Sequence, residues 1–507
     1  MAAGGMKSLA KDTAIYGLSS ILGRLLNYVL VPIHIYVFTE TSDYGIISRM
    51  QGLTALFFIL LTYGMESGFF RFMNKEGENA QKVYSTSLIS LGTTSLLFIL
   101  FCFCFIDPIS RWMDYTEHKE HIWMIAIIVA IDAFMAIPYA YLRYQKRPIR
   151  FVTIRLTYIF LNIFFNVLFL LILPWISRTY PDFALNKFYH PEIGIGYVFL
   201  AGLISTLITL LLIIPTTMKG LKFQFDSSLL KRMLKYSFPL LILGIAGVVS
   251  QVVAQLVYPI IIDDPKEAMS QLGIYTACIK FSVIIAMFVQ AFRYAYEPFF
   301  FSQGKEKGNT KPYADAMKYF IVFVLLIFMA VMFYMDIITW FMDIIGKNYA
   351  VGLNVLPIAM LGEILFGIYF NLSIWYKLTD KTKYGAYFSV IGCIIQLAIN
   401  IIFVPIYGYI ASAWATLIAN LIIVTLSYFI GQKYFPVKYD YKNIFIYILL
   451  TSVAYFVAMY PDIENDILRL GYRTLLLLFF TAFIIKKDVP LDKIPIVGKF
   501  INRKKNN

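Results

Sequence analysis

YGLSSILGRLLNYVLVPI, residues 16–33, is apolar enough to sit in hydrocarbon, yet it carries Arg24 near its middle. A helix of about 20 such residues crosses the ~30 Å core of a bilayer. Runs of this length recur along all 507 residues, and 60% of the chain is hydrophobic. A soluble chain of that size needs a more polar surface. Fourteen spans are read, at about 13–37, 44–70, 84–106, 122–142, 155–177, 194–217, 236–262, 271–295, 317–337, 352–376, 384–405, 409–430, 443–460 and 470–485. Outer-membrane strands are excluded, because they need alternating segments of about 10 residues. Backbone groups in lipid must be satisfied within each segment, so the expected fold class is an all-α polytopic membrane protein.

The formal net charge of +14 invites a nucleic-acid partner, but its distribution describes topology instead. With both termini placed in the cytoplasm, few of the 44 lysines and arginines fall outside. These are Arg111, Lys119, Arg178, Lys187, Lys266, Lys347, Arg469 and Arg473. Arg24, Arg49, Lys280 and Arg293 lie within spans, and the remainder sit in inner segments, densely at 143–155, 219–235 and 486–505. This is the positive-inside bias. It implies contact with anionic membrane lipid and no nucleic acid. The first span is too long for the apolar core of a signal peptide and lacks a small-residue cleavage site, so it is expected to stay as a membrane helix. Cys102, Cys104, Cys278 and Cys393 all fall inside spans, which implies no disulfide framework.

The chain also repeats itself. Pro32 closes a span, a short acidic outer loop follows, and YGI with Gly45 opens the next. Pro259, an acidic loop and LGI with Gly273 do the same six spans later. An offset of six spans preserves orientation, so two six-helix lobes in pseudo-two-fold parallel repeat are expected. The boundaries read are 1–218 for the first lobe, 219–235 for a cytoplasmic linker and 236–430 for the second. Residues 431–507 hold two extra helices and a basic tail. The linker reads as carrying a short interfacial amphipathic helix. Repeated lobes joined by short loops point to a transporter, whose site would lie near the midplane between the repeats.

Which residues line that site is read from the first span. Thr13, Gly17, Ser20, Arg24, Asn27, Val31 and His34 follow a 4-3-4-3 spacing and form one helix face. An arginine at mid-bilayer costs ~2.5–3.5 kcal/mol on insertion scales. A partner carboxylate or a water-filled cavity removes that cost, and the polar stripe favours the cavity. Ser20, Arg24 and Asn27 are therefore substrate-binding candidates. Lys280, nine residues into the eighth span, joins them. Arg293 is either a lumen cation or the partner of Glu297 one turn on. Arg49 is close enough to the outer boundary to snorkel, and Glu66 reads as a local pair with Arg71. Asp132 and Glu363 are central in their spans, each a counter-ion for Arg24 or Lys280 or a group that titrates during transport. Gln251 and Gln290 are further lumen candidates; Gln255, Asn371, Gln396 and Asn400 add amides at membrane depth, some as interhelical ties. HKEH at 118–121 sets two histidines at i,i+3. With no third ligand in view the pair is read as solvated, and no metal is assigned.

KSLAKDTAIYGLSSILGRLLNYVLVPI at 7–33, YGMESGFFRF at 63–72 and IDAFMAIPYAYLRYQKRP at 131–148 resemble the bacterial polysaccharide flippases of the multidrug/oligosaccharidyl-lipid/polysaccharide exporter superfamily. The span count, two lobes and linker match that pattern over the whole chain. The resemblance implies movement of undecaprenyl-pyrophosphate-linked oligosaccharide, as in O-antigen and lipopolysaccharide synthesis, from the cytoplasmic to the periplasmic leaflet of the bacterial inner membrane. It also implies a cationic central cavity with Arg24 as a functional residue. Polymerase and chain-length proteins of the same pathway would be partners.

Physical chemistry supports the same reading. A water-filled cleft would hold the pyrophosphate and hydroxyls while the polyprenyl tail stays in lipid. A guanidinium suits pyrophosphate because it presents forked donors. No cofactor is called for. Moving two negative charges outward down the membrane potential gains ~4.6 kcal/mol per 100 mV, and H+ or Na+ exchange through Asp132 or Glu363 is the other possible drive. A cation-coupled multidrug antiporter or a peptidoglycan-precursor flippase would share the fold. A membrane polysaccharide polymerase or ligase would carry a long catalytic outer loop, and the outer loops here are short. No G-x-x-x-x-G-K-[ST] motif is present for an ATP-driven pump.

Overall fold

The computed structural model describes residues 22–23, 25–26, 28–182, 186–187, 189–219, 221–303, 310–461 and 463–488. Those residues form helices and connecting turns, with no strand among them. The first expected span, 13–37, is described in part, its last turns forming α1 (Leu30–Val37). Among the described residues, thirteen helices long and apolar enough to cross a membrane follow. They are α2 (Thr41–Met73), α3 (Ala80–Cys104), α4 (Lys119–Tyr144), α5 (Pro148–Thr179), α6 (Gly196–Thr217) and α7 (Ser227–Gln251). After these come α8 (Pro265–Tyr294), α9 (Lys311–Phe333), α10 (Asn348–Leu378) and α11 (Lys383–Tyr407). The last are α12 (Ile410–Tyr434), α13 (Tyr441–Met459) and α14 (Asp466–Lys487). Leu97, Phe101, Leu211, Phe456 and Phe479 face outward and exposed. Such an apolar exterior belongs in lipid, so the chain is a multi-pass membrane protein.

Packing divides the chain into two compact units. One comprises Met1–Phe281, Ile345–Leu356 and Thr382–Ile423; the other comprises Ser282–Ile344, Pro357–Lys381 and Val424–Asn507. In the first unit, α2 is broken by Tyr63 and Gly64, both at positive φ (34° and 70°). A Cβ on Gly64 would lie 2.9 Å from the Ser237 carbonyl oxygen, so this position needs glycine to let α2 bend onto α7. The bend lays Met65, Phe69 and Phe72 into a core with Val83, Tyr84 and Leu88 of α3, Ile137 of α4 and Met233 of α7.

The segment before α7 is extended over residues 221–226, and its amphipathic stretch forms the opening turns of α7 in place of the separate interfacial helix expected. Local capping explains this. Asp226 accepts from the backbone N–H groups of Ser228 and Leu229 and pairs with Lys82 at 2.9 Å. The Lys82 bond, with those N–H donors, holds its carboxyl well below the usual range. Ser85 accepts from the Gln224 N–H at 2.7 Å, which pins the extended strand of chain to α3.

Glu66 pairs with Arg143 of α4, not with Arg71, whose guanidinium lies 4.1 Å over the Tyr236 ring. The sequence neighbour loses because the bend in α2 turns Glu66 toward α4. In the second unit, Arg473 of α14 is 6% exposed and donates to Asp336 at 2.8 Å; Arg469 donates to the same carboxylate at 2.6 Å. Two cations read as loop charges thus fasten α14 beside α9.

Candidate functional site

The two repeated hairpins meet each other. A Cβ on Gly45 of α2 would lie 1.8 Å from the Met269 carbonyl oxygen of α8. A Cβ on Gly273 of α8 would lie 1.9 Å from the Thr41 carbonyl oxygen of α2. Thr41 stands to Met269 as Gly45 stands to Gly273, at one common offset in the chain. The contact is therefore reciprocal, like a two-fold interface within one chain. The absent side chains let two helix backbones touch.

Few polar bonds hold this crossing. Thr41 Oγ1 and Ser270 Oγ are 2.6 Å apart, and exposed Lys266 and Glu40 are 3.5 Å apart. The first is worth ~0.5–1.5 kcal/mol and the second ~0–1 kcal/mol. Apart from these two bonds, the crossing is held by close packing of the two helices. The α1–α2 corner behind it is firmer. Tyr349 donates its hydroxyl to the Phe38 and Glu40 carbonyls at 2.8 and 3.0 Å, and Asn348 donates to the Thr39 carbonyl at 3.0 Å.

Gly273→Ala puts a methyl group into a carbonyl oxygen only while the crossing is closed. Overpacking of this kind costs ~1–3 kcal/mol, which shifts a two-state equilibrium ~5–150-fold toward the open form. Labelling of Ser270→Cys by a membrane-impermeant thiol reagent should rise by that factor in the Gly273→Ala background. Unchanged labelling would mean the crossing does not open.

Lys280 lies two turns beyond Gly273 on the same face of α8. It is half-buried, and its Nζ lies 5.5 Å from the Tyr28 ring centroid. A 3₁₀ turn at Lys280–Ser282 interrupts the helix there. On α2, Gly52 stands at the same step from Gly45, and its Cβ would meet the Gln255 side chain at 2.5 Å. Gln251 is exposed. Ser20, Arg24 and Asn27 lie outside the described residues. His34, the last member of their stripe, is buried and bonds Asn166 of α5 at 2.9 Å.

Asp132 of α4 is half-buried, and the cation acting on it through space is Arg155 of α5, with Tyr139 and Tyr158 in the same field. The sequence puts Arg155 at the border of an inner segment and the fifth span. It is the eighth residue of α5, ~10.5 Å along the helix from Pro148. A signal for it existed: Arg155, Tyr158, Asn162 and Asn166 recur at three- and four-residue steps and form a polar face of α5. Asn166 Nδ2 donates to the Asn162 carbonyl at 2.7 Å.

In the second unit, exposed Arg293 stacks on Phe370 of α10 at 4.7 Å, and Lys377 approaches the same ring at 4.7 Å. Both cations thus share one aromatic face. The Glu297 side chain lies outside the described residues. Gln290 donates to the Tyr294 hydroxyl at 3.3 Å, and Glu363 of α10 is half-buried.

Among the other amides, Asn400 is an interhelical tie, whereas Asn371 donates within its own helix to the Gly367 carbonyl at 3.0 Å. Ser412 of α12 bonds both Asn400 of α11 and, at 2.7 Å, Tyr258. Arg49 reaches the loop between α3 and α4, donating to the Met113 carbonyl at 3.0 Å. All four cysteines are free. His121, read as solvated, is 1% exposed.

A family model described as "Polysaccharide biosynthesis protein" matches residues 9–303, and one described as MatE matches residues 266–402. No curated protein matches the chain. Among solved structures, "Lipid II flippase MurJ, inward closed conformation" is similar with a TM-score of 0.73 at 18% identity, covering 92% of this chain and 98% of that one. An inward-facing multidrug resistance MATE family transporter of the MOP superfamily is similar with a TM-score of 0.62 at 15% identity, covering 81% and 94%. A MOP superfamily transporter from Pyrococcus furiosus is similar with a TM-score of 0.55 at 13% identity, covering 84% and 95%. At such identities the likeness is one of fold.

Proposed function

We propose, starting from the fact that this chain belongs to the polysaccharide biosynthesis protein family, that it flips a lipid-linked oligosaccharide across the membrane. The substrate is undecaprenyl-pyrophosphate-linked oligosaccharide, carried from the cytoplasmic to the periplasmic leaflet of the bacterial inner membrane. Both termini are cytoplasmic in this reading, as the basic-residue bias requires. Pathway polymerase and chain-length proteins then receive the product.

One observation carries the reading: a half-buried cation, Lys280, follows directly on the helix face that closes the two repeated hairpins against each other. A closure of close helix packing with one hydroxyl pair and one exposed ion pair reopens in this reading, and a cation behind it is suited to an anionic headgroup. Arg24 and Arg155 supply further positive charge, and Asn27 and Gln251 supply donors for sugar hydroxyls. The two six-helix lobes rock about this site, exposing it to each leaflet in turn. No bond is made or broken; the membrane potential acting on the pyrophosphate drives the step. Asp132 beside Arg155, and Glu363, are where H+ or Na+ would couple.

Reconstituted vesicles test the proposal. Undecaprenyl-pyrophosphate oligosaccharide should become accessible on the opposite leaflet at least ~10-fold faster with the protein than without it, a barrier difference of about 1.4 kcal/mol. Movement of lipid II instead would identify a peptidoglycan-precursor flippase. Ion-dependent efflux of organic cations would identify a multidrug antiporter.

A further inference from the structure

We infer that the outer end of α4 carries a zinc site formed by His118, Glu120 and His121. Nothing in the flippase reading requires it, and the two fail or stand separately. Ligand atoms of the three residues all lie within 4.8 Å of one another. His118 Nδ1 is 3.0 Å from Glu120 Oε1, and His121 Nε2 is 3.9 Å from the same oxygen. Four-coordinate zinc with bonds of about 2.0–2.2 Å sets its ligands roughly 3.3–3.5 Å apart. His118 and Glu120 are 43% and 46% exposed at the side chain, free enough to make that adjustment.

The independent observation is His121. It is 1% exposed, and its Nε2 has no hydrogen-bond partner among the described residues. A buried ring nitrogen left unbonded is costly, and a metal ion relieves that cost. The other ring nitrogen is already positioned: Nδ1 lies 2.7 Å from the Tyr115 hydroxyl. With Nδ1–H donating to that oxygen, the lone pair at Nε2 is available, the arrangement by which an outer partner orients a ligating histidine. Space is kept beside Nε2 by a glycine. A Cβ on Gly196, at the start of α6, would lie 2.4 Å from it. Two imidazoles and one carboxylate suit Zn²⁺ better than the hard cations Ca²⁺ or Mg²⁺. Water would complete the coordination.

The purified full-length protein in detergent, without a histidine tag, is titrated with Zn²⁺ by calorimetry and with Co²⁺ by visible absorption. One ion per chain should bind, and Co²⁺ should show the intense bands of a four-coordinate ion. His118→Ala and Glu120→Gln, both at exposed side chains, should each weaken Zn²⁺ binding at least ~10-fold, and Tyr115→Phe should weaken it ~10–100-fold. Gly196→Ala should abolish the site, while His190→Ala should leave it intact. Co²⁺ remaining six-coordinate, or Zn²⁺ affinity unmoved by both His118→Ala and Glu120→Gln, overturns the assignment.

Discussion

Oxidising a Thr41→Cys/Ser270→Cys pair should stop transport completely, and reduction should restore it. The two native hydroxyl oxygens are 2.6 Å apart, so cysteines at these positions bring their sulfurs within bonding reach. A disulfide needs Cβ atoms ~3.5–4.5 Å apart, and hydroxyls in hydrogen-bond contact mark the pair on α2 and α8 to try. Once formed, the bond ties the hairpins of the two repeats, and no thermal fluctuation opens it. The measurement is flipping in vesicles before and after oxidant, then after reductant, with the four native cysteines replaced. Undiminished transport by fully cross-linked protein would remove this crossing from the transport cycle.

Arg24→Ala should lower export by at least ~100-fold, and Arg24→Lys should retain part of it. Each hydrogen bond to a charged group contributes ~1.5–3 kcal/mol, and a guanidinium offers pyrophosphate two at once, where an ammonium presents a point charge. Loss through failed insertion is not expected. Removing an arginine from mid-span makes insertion easier by ~2.5–3.5 kcal/mol, so the protein level should hold or rise. The readout is complementation of a flippase-deficient strain, normalised to protein in the membrane fraction. Full export by Arg24→Ala would take this residue out of the mechanism.

Charges show most directly how far a linear reading reaches. Lys280 stands out in the sequence as a lysine deep in an apolar span, and the structure places it half-buried two turns beyond Gly273. Arg155 does not stand out, because it sits where loop and helix merge, and counting it as an inner-loop cation also satisfied the topology bias. Asp132 had two cations proposed for it; the one acting on it among the described residues is Arg155, one helix away. Glu66 had Arg71 nearby in sequence, yet a left-handed bend at Tyr63–Gly64 aims it at Arg143. His121 looked like a loop histidine until α6 packed Gly196 over it.

The order of apolar runs by itself determined that this is a helical membrane protein, because an unsatisfied backbone cannot lie in lipid and only helices of that length fit. The spacing of Gly45 and Gly273 also marked the repeat in advance, since a glycine kept at one place in two hairpins signals a close backbone approach. Only the tertiary structure decided that these two glycines face each other, and which acid answers which base. Periodicity records one helix at a time, whereas contact between helices depends on their crossing and bending, which many side chains set together.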